Sequence, residues 1–106
     1  MTEQYIDLFS KKDLDGIAFL LDETFVLEDP VVKRIEGKSN SLNAIKNIFD
    51  SCDSLSFQAK NIFQEKSTTI IEFILQLDEN KLEGVDIIEW EGNKMKQLRA
   101  YLDVPA

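Results

Sequence analysis

The chain has 106 residues, which is enough for one domain with a single hydrophobic core. It carries 20 acidic and 12 basic side chains, and the net charge of −8 disfavours nucleic acid and anionic membrane surfaces as partners. It contains no histidine and one cysteine, Cys52, which excludes Ser-His and Cys-His catalysis, histidine-ligated metals and intramolecular disulfides. Any acid–base chemistry must therefore use Asp, Glu, Tyr, Lys or Cys.

The sequence shows no targeting or membrane-spanning segment. Its first residues, MTEQ, lack the basic and apolar stretches of a secretory signal. No apolar run approaches the roughly 20 residues that are needed to cross a bilayer. We therefore expect a cytoplasmic protein that contacts neither membrane nor nucleic acid.

Two helices are predicted at the N-terminal end. Residues 2–10 place apolar side chains at helical spacing. Residues 14–21 repeat that pattern directly after Asp13, which is a favourable N-cap. The chain therefore starts with two short amphipathic helices.

The next segment alternates in the manner of a β-strand. Over residues 24–29 the alternation places Asp29 on the same face as Leu27. Pro30 cannot donate to a strand ladder and should end this strand or mark a bulge. Residues 31–35 could then form a short partner strand.

The rest of the chain predicts one helix and then consecutive strands. Residues 39–51 have helical spacing. Four strand-like runs follow, at residues 54–64, 68–77, 84–90 and 94–103. Helices followed by an antiparallel run of strands predict an α+β fold, with the helices on one face of the sheet. No repeat or linker divides the chain, so we expect a single domain over residues 1–106.

Asp86 is the most informative residue of the sequence. Strand alternation places it on the same face as Ile88 and Trp90, which are typical core residues. Burying an ionised carboxylate without a partner is very costly, so such a group either finds partners or stays protonated. Asp86 is therefore a candidate for a buried, functional carboxyl.

Asp86 and Asp29 each lie on an apolar face of a predicted strand, and together they could form a proton-transfer site. One carboxylate would abstract a proton, while the other, kept protonated, would donate a hydrogen bond to the developing oxyanion. Tyr5 on the first helix could supply a second donor. Composition alone favours structural roles instead. Tyr5 could be a core aromatic, Asp29 could cap a turn, and Asp86 could accept backbone N–H groups or face a solvated sheet edge.

Two parts of the sequence resemble a known family. The segments Tyr5–Ala18 (YIDLFSKKDLDGIA) and Leu27–Pro30 (LEDP) resemble the opening of the ketosteroid isomerases, which belong to the NTF2-like (SnoaL-like) superfamily. The segments Val85–Gly92 (VDIIEWEG) and Lys94–Tyr101 (KMKQLRAY) are similar to that superfamily's closing hairpin. The resemblance implies an NTF2-like cone, in which three N-terminal helices pack on a curved, mainly antiparallel sheet around an internal pocket.

The resemblance also implies roles for the three polar residues. Tyr5 matches the oxyanion-hole tyrosine of the isomerases, Asp29 their general base and Asp86 their protonated aspartic acid. No metal and no organic cofactor is implied. The expected ligand is a small apolar carbonyl compound. The expected pocket walls are Phe25, Leu27, Phe49, Phe57, Phe73, Ile88, Trp90, Leu98, Ala100 and Leu102.

Other chemistries of the superfamily can be weighed against the sequence. Dehydratases of the scytalone type use histidine, which this chain lacks. Epoxide hydrolases of the limonene type need an inward arginine between two aspartates, whereas Arg99 alternates with Leu98 and Ala100 and should face outward. A SnoaL-like polyketide cyclase remains possible.

A second class of function remains open beside the enzyme. The chain could be a non-catalytic ligand-binding or assembly module. Members of the superfamily often dimerise through the sheet face away from the pocket, so the resemblance implies a homodimer. Outward positions on the predicted strands could supply the apolar contact. These positions are Ile70, Ile74, Val85 and Ile87.

Overall fold

A computed structural model describes residues 2–29 and 33–103 of the chain. These residues form three helices and six strands: α1 (Thr2–Ser10), α2 (Leu14–Leu20), β1 (Leu21–Asp29), β2 (Lys33–Glu36), α3 (Lys38–Asp50), β3 (Leu55–Glu65), β4 (Thr68–Leu77), β5 (Asn80–Glu91) and β6 (Lys94–Asp103). The predicted order of helices and strands is confirmed.

The first strand begins earlier than its sequence pattern predicts. The Asp13 carboxylate accepts a hydrogen bond from the Gly16 N–H at 2.9 Å, which confirms Asp13 as the N-cap of α2. Leu21 then has an extended backbone (φ −88°, ψ 134°) and is buried, so α2 passes into β1 without a loop. The predicted partner strand is β2, although residues 30–32 lie outside the described part of the chain.

The six strands form one sheet in the order β2-β1-β6-β5-β4-β3. All neighbouring pairs are antiparallel except β1 and β6, which are parallel. The last strand therefore lies beside the first, and only β6 separates β1 from β5. This arrangement confirms the expected α+β class.

Three irregularities in strand pairing bend the sheet. The register shifts between β1 and β6, between β3 and β4 at residues 59–61, and between β5 and β6 at residues 89–90. A β-bulge bends its strand and increases the local twist. The helices lie along this sheet, with α1 against β3 and α3 against β1. A space remains between the helices and the inner face of the sheet.

Ser10 anchors the end of α1 to the edge strand. Its hydroxyl donates a hydrogen bond to the Phe57 carbonyl at 2.9 Å and accepts one from the Phe57 N–H at 3.0 Å. Nearby, the Lys12 ammonium donates to the Cys52 carbonyl at 2.6 Å. The two Ser10 hydrogen bonds fix α1 relative to β3, so they also fix where the side chains of α1 enter the core.

Ser10→Ala should lower the free energy of unfolding by about 1–2 kcal/mol, because two hydrogen bonds to one backbone unit are lost together. Urea denaturation measures this change. Ser39→Ala is the control, since Ser39 is exposed near the start of α3 and should change stability by less than about 0.5 kcal/mol. Equal stabilities of the two variants would show that Ser10 does not anchor α1.

Candidate active site

Asp86 lies in the middle of the inner sheet face. It pairs with Ala100 of β6 on one side and with Ile71 of β4 on the other. Its side chain is only 4% exposed, and Ile88 and Trp90 on the same face are also buried. The face that the sequence predicted for Asp86 is confirmed.

Burial keeps the Asp86 carboxyl neutral. Desolvation, with a further contribution from the negative charge of Asp29, raises the pKa of Asp86 to about 8. The carboxyl is therefore mostly protonated at neutral pH. A protonated carboxyl has an O–H to donate, so Asp86 is suited to hydrogen-bond an oxygen that gains negative charge.

Tyr5 supplies a second O–H donor beside that of Asp86. It projects from α1, is 3% exposed and packs edge-on against Phe57 with ring centroids 6.1 Å apart. Burial, and then the charge of Asp86, raises the pKa of the Tyr5 hydroxyl well above its usual range. Among the described residues, neither the Tyr5 hydroxyl nor the Asp86 carboxyl has a hydrogen-bond partner. Their donor capacity is therefore available to a ligand.

Asp29 occupies a different environment at the end of β1, where it is half-buried. The last register pairs of β1 and β6 are Leu27 with Leu98 and Glu28 with Arg99, which places Asp29 level with Ala100. The neighbouring strands β1, β6 and β5 thus carry, side by side, Asp29, Ala100 and Asp86. Two interstrand spacings separate the backbones of the two aspartates by about 10 Å. The small side chain of Ala100 leaves space between them.

The three polar side chains line one apolar cavity of about 70 Å³. Seven of the ten predicted wall residues also line it: Phe25, Leu27, Phe57, Phe73, Leu98, Ala100 and Leu102. The structure places the other three, Phe49, Ile88 and Trp90, in the hydrophobic core outside this lining. Trp90 instead donates its indole N–H to the Thr69 hydroxyl at 3.0 Å, away from the cavity.

Six further residues of the lining were absent from the sequence prediction: Phe9, Leu21, Ile45, Ile48, Leu75 and Met95. Helical spacing could have found some of them. Phe9 lies one turn after Tyr5 on α1, and Ile45 and Ile48 are three residues apart on α3. Leu75 follows Phe73 on the same strand face. Helical and strand spacing identify which face of each element points inward. Whether Ile48 or Phe49 lines the cavity depends on how α3 is rotated against β1.

Arg99 lies on the opposite face of the sheet, as its alternation predicts. Its guanidinium donates hydrogen bonds to the Glu89 carboxylate at 3.0 Å and to the Gln97 side chain at 3.2 Å. Thr68 donates to the same glutamate at 2.5 Å. The Thr68 and Arg99 hydrogen bonds lower the pKa of Glu89, which therefore stays ionised beside Arg99. The cavity lining contains no arginine within the described residues.

The described residues show neither a metal-binding cluster nor a membrane-spanning helix. Residues 2–29 and 33–103 contain no cluster of three His, Cys, Asp or Glu side chains placed to hold a metal ion. In the same ranges, no helix is long and apolar enough to cross a membrane.

The sequence matches the family model of the SnoaL-like domain over residues 2–98. The chain therefore belongs to the SnoaL-like domain family. No curated protein matches it at a significant level.

Solved structures show the same fold at low sequence identity. An NTF2-like protein from Cytophaga hutchinsonii is 14% identical, with 96% of this chain and 86% of that chain covered and a TM-score of 0.84. A candidate ketosteroid isomerase from Kribbella flavida is 17% identical, with 99% and 76% covered and a TM-score of 0.85. An LEH-like epoxide hydrolase from M. tuberculosis is 15% identical, with 96% and 79% covered and a TM-score of 0.79. The NTF2-like fold is therefore confirmed, and because these neighbours differ in chemistry it does not select one.

The raised pKa of Asp86 predicts that stability changes with pH. The folded protein keeps this proton up to about pH 8, whereas the unfolded chain releases it near pH 4. Wild-type stability should therefore fall relative to Asp86→Asn as the pH rises from about 4.5 to about 8. Urea denaturation at several pH values measures the difference. The exposed Asp53→Asn is the control, and parallel curves for wild type and Asp86→Asn would contradict a neutral Asp86.

Proposed function

We propose that this protein binds a small carbonyl compound in its apolar cavity and catalyses proton transfer next to the carbonyl group. The observation that carries the proposal is that three polar groups line one cavity: Tyr5 and Asp86, which keep their protons at neutral pH, and a second carboxyl, Asp29. The lining is otherwise apolar.

In the proposed reaction, Asp29 is the general base. Its carboxylate removes a proton from the carbon beside the carbonyl, and the C–H electron pair moves into the carbonyl group to form an enolate. The proton then returns to another carbon of the conjugated system, which regenerates the Asp29 carboxylate and leaves an isomerised product. The step is balanced within the ligand and this one side chain, so no cofactor enters it.

Tyr5 and Asp86 stabilise the enolate in this proposal. Negative charge develops on the ligand oxygen during the step, and donors aimed at that oxygen are most effective where water is excluded. Apolar walls such as Phe57 and Phe73 exclude water from the site. An ionised Asp86 would repel the enolate, which is why its protonation is central to the proposal.

The test is conversion of 3-cyclohexenone to the conjugated 2-cyclohexenone, followed by ultraviolet absorbance. Asp29→Asn should slow turnover by about 10²–10⁴-fold, because the base is lost. Tyr5→Phe and Asp86→Leu should each slow it by about 10²–10³-fold, because one oxyanion donor is lost. Asp86→Asn keeps an N–H donor and should fall between wild type and Asp86→Leu.

Binding of phenol, a neutral mimic of the enol, separates binding from turnover. Asp29→Asn should bind phenol as well as wild type does, whereas Tyr5→Phe and Asp86→Leu should bind it about 10-fold more weakly. Calorimetric titration measures the affinities. Phenol binding that depends on both donors, without turnover by the wild type, would favour the non-catalytic ligand-binding module. Binding that neither substitution changes would contradict the oxyanion hole itself.

We also infer that the protein forms a homodimer through the outer face of the sheet. Ile70 of β4 pairs with Ile87 of β5 on this face, and both side chains are half-buried in the single chain, as are Val85 and Ile74. The Arg99–Glu89 pair borders the apolar positions. An apolar centre with a charged rim is typical of a protein interface.

Ile87→Asp should convert the dimer to a monomer, because two copies of the charge would face each other across a two-fold interface. Sedimentation at micromolar concentration measures the mass. Ser39→Asp on α3 is the control and should leave the dimer intact. A monomeric wild type would contradict the homodimer.

A further inference from the structure

We propose that the ligand of this site is no larger than a single six-membered ring, and that the Phe57–Phe73 pair sets this limit. The inference rests on the proposed function and adds the size class of the ligand to it. A second ring fused to the inner side of the first, away from the half-buried part of the lining, would have to occupy space that these two side chains fill.

The cavity volume is the first observation. The cavity is open on one side and has a volume of about 70 Å³. An engineered apolar cavity of about 150 Å³ accepts benzene. The cavity therefore encloses the carbonyl end of a small ligand, and even one ring must extend toward the half-buried side of the lining. That side is formed by Asp29, Ile48, Ala100 and Leu102.

The aromatic packing around the cavity is the second observation. The ring centroids of Phe57 and Phe73 are 4.9 Å apart, and Phe57 also contacts Phe9 at 5.1 Å and Tyr5 at 6.1 Å. Phe9 in turn contacts Phe49 at 5.0 Å. The five rings form a continuous cluster at normal packing distances, so one ring cannot move outward without displacing its neighbours.

The backbone behind the two rings is the third observation. Phe73 pairs with Gly84 of β5, and a Cβ atom added at Gly84 would lie 2.9 Å from Phe73 Cζ. The ring therefore already rests against the neighbouring strand and has no room behind it. The backbone of Phe57 is fixed in a different way, because Ser10 hydrogen-bonds both its N–H and its carbonyl. The wall formed by these two rings therefore resists displacement.

Phenol and 2-naphthol test the size limit, because they share the hydroxyl group and differ by one fused ring. The wild type should bind phenol at least 10-fold more tightly than 2-naphthol in calorimetric titrations. Phe73→Ala removes the ring that blocks the second ring of naphthol and should reverse this preference. Phe73→Leu is a milder variant that should bring the two affinities closer together if Phe73→Ala does not fold.

Ile17→Ala is the matched control. Ile17 is fully buried in α2 and does not line the cavity, so its truncation also removes core volume but should leave the phenol preference unchanged. Equal binding of both probes by the wild type would overturn the size limit and leave the proposed function standing. An unchanged preference in a folded Phe73 variant would also overturn it. Binding of neither probe by the wild type would overturn the proposed function, and the size limit with it.

Discussion

The site depends on one physical constraint, the burial of the Asp86 carboxyl among apolar side chains. An ionised carboxylate in this position would lose its hydration without gaining a cationic partner, so the neutral acid is favoured. Asp29 is half-buried at the end of a strand, so its side chain is more accessible to solvent than that of Asp86. Two residues of the same type thus lie in different surroundings, and the proposed function assigns them different roles, a donor for Asp86 and a base for Asp29.

The topology of the sheet brings these two environments together. Parallel pairing of β1 with β6 places the first strand of the chain two positions from β5, although β1 ends at Asp29 and β5 begins only at Asn80. Ala100 lies between the two aspartates, and its small side chain keeps the space between them open. Tyr5 then approaches from α1, which Ser10 fixes to the edge strand. The site therefore depends on three features of the fold, which are the strand order, the register between strands and the docking of α1.

Part of this arrangement could be predicted from local pattern. Strand alternation has a period of two residues, so the faces of Asp86, Asp29 and Arg99 follow from their immediate neighbours. The extent of the cavity could not be predicted in this way. The register shift at residues 89–90 and the hydrogen bond from Trp90 to Thr69 place Trp90 in the closed part of the core, and local sequence does not specify either contact. The lining from α3 likewise depends on helix rotation, which is set by packing against β1.

The two-residue alternation of strand side chains also explains how one fold can support different chemistries. Arg99 and Ala100 are consecutive on β6, yet one lies over the outer face beside Glu89 and the other lines the cavity. A shift of one residue in the register of β6 would exchange these positions and bring a guanidinium between the two aspartates. An inward cation would favour ionised Asp86 and remove its donor. The neutral acid therefore depends on the register of β6 as well as on its own burial.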